Sequence, residues 1–204
     1  MTFVKICGLS TREHVEAAVN AGASMIGFVF APSRREISAE QAAELAQFIP
    51  SNVKKVGVFV NAAAQTIQQI FKQVPLDYVQ YHGDETNDFI AQIRLPSIKA
   101  FAIRTNEDIM RAANYTVDFY LFDTPGTTYR GGSGQTFDWS LLAETNIPKH
   151  KIIVAGGLNP SNVEQAIRII EPAVVDVSSG VEQSGIKDTQ LIEQFIAAAK
   201  GAIV

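Results

Sequence analysis

The chain of 204 residues has little sulfur and little imidazole: one cysteine, three histidines and a single tryptophan. A lone thiol forms no internal disulfide, so a disulfide-stapled scaffold is excluded, and Cys7 fits a reducing compartment. Basic blocks are absent, and 17 Lys and Arg stand against 21 Asp and Glu for a formal charge of −4. Nucleic acid is therefore not expected as a partner, because phosphate backbones select strongly cationic faces. A local pocket can still oppose the global charge, which leaves small anionic ligands open. No apolar run approaches the roughly 18–20 residues that span a bilayer. Residues 1–6 lack the charged leader and apolar core of a signal peptide. A cytoplasmic protein without membrane partners is expected. With 47% hydrophobic and 19% charged residues, the chain has enough apolar surface to offset chain entropy, which excludes disorder.

What is present is an alternation. Short β-branched runs predict strands at residues 3–6, 25–30, 55–60, 78–80, 97–100, 119–122, 152–154 and 174–177. Between them lie amphipathic stretches with helical spacing. The first is capped by Ser10 or Thr11 and closed by Gly22; the second opens on Ser38 with Gln41 three residues on. Others are predicted near 63–74, 87–93, 106–113, after Asp138, 161–170 and 189–200. Eight strand-then-helix units at roughly 25 residues each suit a closed (β/α)8 barrel, forming one domain over residues 1–204. An open doubly wound sheet also alternates strands and helices. Its glycine fingerprint is missing, since the first turn reads Cys7-Gly8-Leu9-Ser10.

In a barrel, the chemistry gathers at the C-terminal ends of the strands. That places Cys7, Arg34 and Arg35, Asn61, Gln80 and His82, Asp123, and two glycine-bearing loops on one rim. The loops are Gly156-Gly157-Leu158-Asn159-Pro160 and Ser178-Ser179-Gly180. Glycines let backbone N–H groups approach an anion, and loops seven and eight are the usual phosphate site of this architecture. Two ordinary glycine turns are the alternative. Cys7 is either an inert core thiol or a nucleophile or base of lowered pKa. Asp123 is either a desolvated general acid or a cap for the following loop. That loop, rich in glycine at 126, 131, 132 and 134, either closes over a ligand or is simply mobile. Of the histidines only His82 reaches the rim, so no metal site is expected. Lys99 is a candidate Schiff-base lysine, or else Lys5 and Lys99 both face the barrel interior and pair with Asp176.

Several stretches together resemble the phosphoribosylanthranilate isomerase family of tryptophan biosynthesis. They are Lys5-Ile6-Cys7-Gly8, Gly27-Phe28-Val29-Phe30, Ser33-Arg34-Arg35-Glu36-Ile37-Ser38 and Gly57-Val58-Phe59-Val60-Asn61. Further on come Val79-Gln80-Tyr81-His82-Gly83, Asp123, Gly131-Gly132-Ser133-Gly134 and Phe137-Asp138-Trp139. The last are the two glycine loops, the second extending over Val175-Asp176-Val177 and Val181-Glu182. The resemblance implies a (β/α)8 barrel that performs an Amadori rearrangement of a phosphosugar without any cofactor. It implies Cys7 as general base and Asp123 as general acid, with the thiol ionised and the carboxyl protonated. It implies Arg35 on the anthranilate carboxylate, with adjacent Arg34 as the competing position. Gly156, Gly157, Ser179 and Gly180 would hold the phosphate, and Gln80, His82 and Asp176 would line the substrate. A monomer or a homodimer is compatible with it. The same barrel could instead carry a metal-dependent pentose-phosphate epimerase or a non-catalytic phosphate-ligand sensor. The first needs several rim His and Asp ligands; the second needs neither Cys7 nor Asp123.

Overall fold

The computed structural model describes residues 2–125, 136–143 and 145–202. Eight parallel strands close into a barrel in chain order. They are β1 (Phe3–Cys7), β2 (Met25–Val29), β3 (Lys54–Phe59), β4 (Tyr78–Tyr81), β5 (Ser97–Ala102), β6 (Phe119–Asp123), β7 (Ile152–Val154) and β8 (Val174–Val177). The helices are α1 (Arg12–Ala21), α2 (Ala39–Ala46), α3 (Ala64–Gln73), α4 (Asn87–Ile93), α5 (Asn106–Ala112), α6 (Ser140–Ala143), α7 (Val163–Ile170) and α8 (Thr189–Gly201). Closure separates this fold from an open sheet. It is made by β8 pairing with β1, which sets Lys5 opposite Asp176 and Ile6 opposite Val177.

The local signals act as expected. Thr11 caps α1 by accepting from the His14 N–H, and Gly22 ends it in the left-handed region at φ 92°. Ser38 and Gln41 form a reciprocal capping box on α2. The helix after β7 begins later than expected, at Val163, because 160–162 form a turn. One feature lies outside the eight-fold alternation. Between β8 and α8 the chain makes a two-stranded hairpin, β9 (Glu182–Gln183) and β10 (Ile186–Lys187). Ser184 and Gly185 both have positive φ there, the requirement of a tight type I′ turn.

The alternation of side chains along the strands builds two apolar shells. One lies between the barrel and its helices. The other fills the barrel itself, with Met25, Val56, Ile98, Leu121, Ile153 and Val174 at its centre. Above this plug, toward the C-terminal ends of the strands, the inward positions turn polar. Lys5, Gln80 and Asp176 are all buried there.

Candidate active site

Cys7 ends β1 and is 7% exposed. Its neighbour across the β1–β2 ladder is Gly27, and a Cβ there would lie 2.8 Å from Cys7 Sγ. Glycine at 27 is thus what gives the thiol its room. Lys5 is two residues below on the same inward face and is wholly buried. Its ammonium donates to Asp176 Oδ1 at 2.9 Å and also interacts with the Cys7 thiol. Burial pushes the thiol above its ordinary pKa, and the Asp176 carboxylate adds to this; Lys5 and Lys187 pull the other way without prevailing. Desolvation thus opposes the thiolate that the resemblance implies, while the two cations favour it. Reading charge from neighbouring cations alone left out the desolvation of a fully buried sulfur.

Across the mouth, Asp123 ends β6 and is buried. Its Oδ1 accepts the Thr124 N–H at 2.7 Å, which is the loop-capping contact foreseen as one option. Its Oδ2 remains beside His82 Nε2 at 3.5 Å. His82 Nδ1 in turn lies 2.9 Å from Gln80 Nε2. A cavity of about 740 Å³ opens beside them, walled by His82, Lys99, Phe101, Arg104, Tyr115 and Asp123 among others. The glycine-rich loop after β6 falls at 126–135, outside the described residues.

Lys5 pairs with Asp176 as expected, but Lys99 does not. On β5 it is Ile98 and Ala100 that join the interior plug, so Lys99 points outward. Its ammonium donates to the Gly83 carbonyl at 2.8 Å and stands 3.3 Å from Glu85. Glu85 also accepts the N–H groups of Asn61 (2.7 Å) and Gly83 (2.9 Å). Lys99 is thus a fastening for the loops after β3 and β4, and the Schiff-base reading loses its support.

The two arginines separate clearly. Arg35 lies over Gly8, where a Cβ would fall 2.6 Å from Arg35 Cδ and where φ is +77°, so only glycine suits the turn. The Arg35 guanidinium grips Glu182 through Nε and Nη2, at 2.6 and 3.0 Å. Arg34 reaches the same carboxylate from a much more exposed position. Lys187 reaches it too, at 2.8 Å, and donates to the Ser178 carbonyl at 2.7 Å. Burial disfavours the charge on Glu182, but Arg35 and Lys187 outweigh this and hold the carboxyl below its ordinary value. One carboxylate among three cations leaves this side of the mouth net positive.

The two glycine loops meet beside these groups. Gly156 and Gly157 are both left-handed, at φ 79° and 65°. A Cβ on Gly156 would fall within 3 Å of Thr124 Oγ1, Thr124 N and Asp123 Oδ1. Gly180 packs so closely that a Cβ would sit 1.8 Å from the Leu158 carbonyl oxygen. Ser179 opens a single 3₁₀ turn, Ser179–Val181. Asn162 stiffens the first loop by donating to the Gly157 carbonyl and accepting from Asn159 N–H.

Residues 4–198 match the family model of N-(5'-phosphoribosyl)anthranilate (PRA) isomerase. The chain belongs to the PRA isomerase family. A PRA isomerase of Listeria welshimeri is 48% identical over 198 residues, spanning 97% of this chain and 98% of that protein. The crystal structure of the Thermotoga maritima enzyme superposes with a TM-score of 0.91 at 42% identity, covering 98% of this chain and all of that one. A further PRA isomerase structure is 40% identical with a TM-score of 0.86, over 98% of this chain and all of the other. It was solved in complex with reduced 1-(O-carboxyphenylamino)-1-deoxyribulose 5-phosphate.

In this PRA isomerase family member Cys7, Gln80, His82, Asp123 and the two glycine loops lie at the C-terminal ends of the strands, Asp176 pairs with Lys5 as expected, and Lys99 points outward. Glu182, Lys187, Glu85 and Gly27 were given no role. Ser184-Gly185, a hairpin-turn dipeptide two residues ahead of Lys187, was the available signal for the β9–β10 insertion. Among the described residues no three His, Cys, Asp or Glu side chains gather as metal ligands, and no helix is long and apolar enough to cross a membrane.

Proposed function

We propose that this protein catalyses the Amadori rearrangement of N-(5-phosphoribosyl)anthranilate in tryptophan biosynthesis, with Cys7 as general base and Asp123 as general acid. One observation carries the assignment of roles: the thiol and the carboxyl end β1 and β6 of a single barrel mouth, beside two glycine loops and a net cationic wall. The Asp123 carboxyl gives its proton to the ribose ring oxygen. The C1′–O bond then breaks, and the anthranilate nitrogen supplies the electron pair of the new C=N bond. The Cys7 thiolate removes the C2′ proton and its bonding electrons neutralise the iminium nitrogen, forming an enolamine. The enol hydroxyl then becomes the ketone as a proton returns to C1′. Gly156, Gly157, Ser179 and Gly180 hold the phosphate through backbone N–H groups, Arg35 meets the anthranilate carboxylate, and Gln80, His82 and Asp176 line the sugar. A buried thiol of raised pKa is mostly protonated, but its thiolate is correspondingly the stronger base.

The test is turnover of N-(5-phosphoribosyl)anthranilate by the wild type and by two variants. Cys7→Ala is expected to lose about 10²–10⁴-fold in kcat, the usual contribution of a general base, with KM nearly unchanged. Asp123→Asn keeps the Thr124 contact but cannot release a proton, so it is expected to bind substrate and not open the ring. A folded Cys7→Ala protein with near-normal kcat, or an Asp123→Asn protein with its pH profile intact, would remove the proposed roles.

A further inference from the structure

Gln80 is buried inside the barrel mouth at 1% exposure, on the inward face of β4 that also carries Tyr78 and His82. Its amide nitrogen lies 2.9 Å from His82 Nδ1. Its amide oxygen is buried and has no hydrogen-bond partner among the described residues. Native interiors rarely leave an acceptor orphaned, since the desolvation costs about 1–3 kcal/mol. Turning the amide over would not remove the problem, because the –NH₂ group would then be stranded in the oxygen's place. The two orientations differ in what they do to the imidazole. As arranged, the amide donates to Nδ1, so Nδ1 carries the lone pair and Nε2 carries the hydrogen. That hydrogen faces Asp123 Oδ2, 3.5 Å away. The other Asp123 oxygen already accepts the Thr124 N–H at 2.7 Å.

We propose that Gln80 is a positioning residue: by donating to His82 Nδ1 it fixes the Nε2–H tautomer, and so keeps a neutral hydrogen-bond donor facing Asp123. This rests on the reading of Asp123 as the acid. Once Asp123 has given its proton to the ring oxygen, the carboxylate left behind finds a donor on each oxygen, Thr124 N–H and His82 Nε2–H. Stabilising the product of proton transfer makes Asp123 a more effective donor. The opposite tautomer would turn a lone pair toward that carboxylate and repel it. Asp84, Lys99, Arg104, Asp108 and Arg111 line the same cavity; of these, Lys99 is engaged with Glu85 and the Gly83 carbonyl, and Arg111 with Asp108.

The tautomer is read from the ¹⁵N shifts of the three histidines, His82 being identified by the signals lost in His82→Asn. In the wild type, Nδ1 is expected to be pyridine-like and Nε2 pyrrole-like. Gln80→Met, which keeps the length and removes the donor, is expected to bring the two shifts toward an averaged value. It should also lower kcat by about tenfold to a hundredfold, the range seen when an outer partner that orients an imidazole is lost, with KM within about twofold. The limb of the kcat–pH profile that reports the acid should move. A wild-type His82 with hydrogen on Nδ1 overturns the proposal, and that spectrum needs no variant to fold. So does a Gln80→Met enzyme with unchanged kcat and pH profile while Asp123→Asn is inactive. An active Asp123→Asn enzyme would instead remove the acid reading, and the wild-type tautomer would still be measured independently.

Discussion

Replacing Lys5 with methionine removes the ammonium that stands 2.9 Å from Asp176 while nearly keeping the side-chain volume. The pair is 0% and 8% exposed, so the carboxylate left behind would be an uncompensated charge in the barrel interior. Breaking a buried pair from one side costs about 3–5 kcal/mol, because the surviving ion keeps its desolvation penalty. For a domain of this size each kcal/mol moves Tm by about 2–4 °C, so Lys5→Met should melt roughly 6–20 °C lower. Urea unfolding near neutral pH gives the same quantity as a free energy. The pH dependence carries a sign. Burial opposes the Lys5 charge, but Asp176 and Cys7 outweigh it and raise the ammonium above its ordinary value of 10.5. A raised folded-state pKa means that the stabilisation is complete below the ordinary lysine value and is lost only as pH climbs through the folded one. The difference between wild type and variant should therefore be flat across neutral pH. The companion Lys5→Met/Asp176→Leu should recover most of the loss, since replacing a whole buried pair with packed apolar groups is close to neutral. A Lys5→Met protein within about 1 kcal/mol of wild type would refute the reasoning, as would a double variant no more stable than the single.

Three other outcomes follow from features already described. Gly27→Ala places a Cβ 2.8 Å from Cys7 Sγ, so the thiol must rotate; kcat and the rate of Cys7 alkylation should fall while KM holds, and unchanged alkylation would count against the room argument. Gly180→Ala forces a Cβ toward the Leu158 carbonyl, at about 1–3 kcal/mol of overpacking; inorganic phosphate should then protect the variant against unfolding less than it protects the wild type, and equal protection would misplace the phosphate site. Because burial raises the pKa of Cys7, the single cysteine, absorbance of its thiolate should keep rising with pH beyond the ordinary thiol value of 9.0, and a rise complete below that value would refute the burial argument.

Most of the frame was legible because the signals are local. Val174–Val177 and Asn87–Ile93 occur with the boundaries the residue pattern predicts, and Thr11, Gly22, Ser38 and Gln41 act as caps within a single turn of chain. The strand-end rule then placed Cys7, Asp123, His82 and both glycine loops on one rim without any knowledge of distance. What was not legible is non-local. The outward direction of Lys99 depends on a one-residue phase along β5, and the partner that decides it, Glu85, arrives from the loop after β4. The different placements of Arg35 and Arg34 depend on Gly8 beneath the first and Glu182 across from both, residues far apart in the chain. The charge state of Cys7 depends on how completely water is removed from around the sulfur, which no spacing encodes.

The β1–β8 seam has a consequence for how the chain reaches this state. Lys5 and Asp176 are separated by 171 residues, so the contact that closes the barrel is among the last that synthesis makes available. At about 5–20 residues per second, the first strand waits roughly ten to thirty seconds for the eighth. Throughout that time β1 is an open strand edge bearing a lysine with no counter-ion, and β7 becomes the other open edge as it forms. Proteins whose decisive contacts span so much sequence fold slowly, because the loop entropy is spent before the contacts repay it. A nascent or truncated chain lacking residues 174–177 therefore exposes two unpaired edges. Its expected fate is association with other chains through those edges rather than a smaller stable barrel.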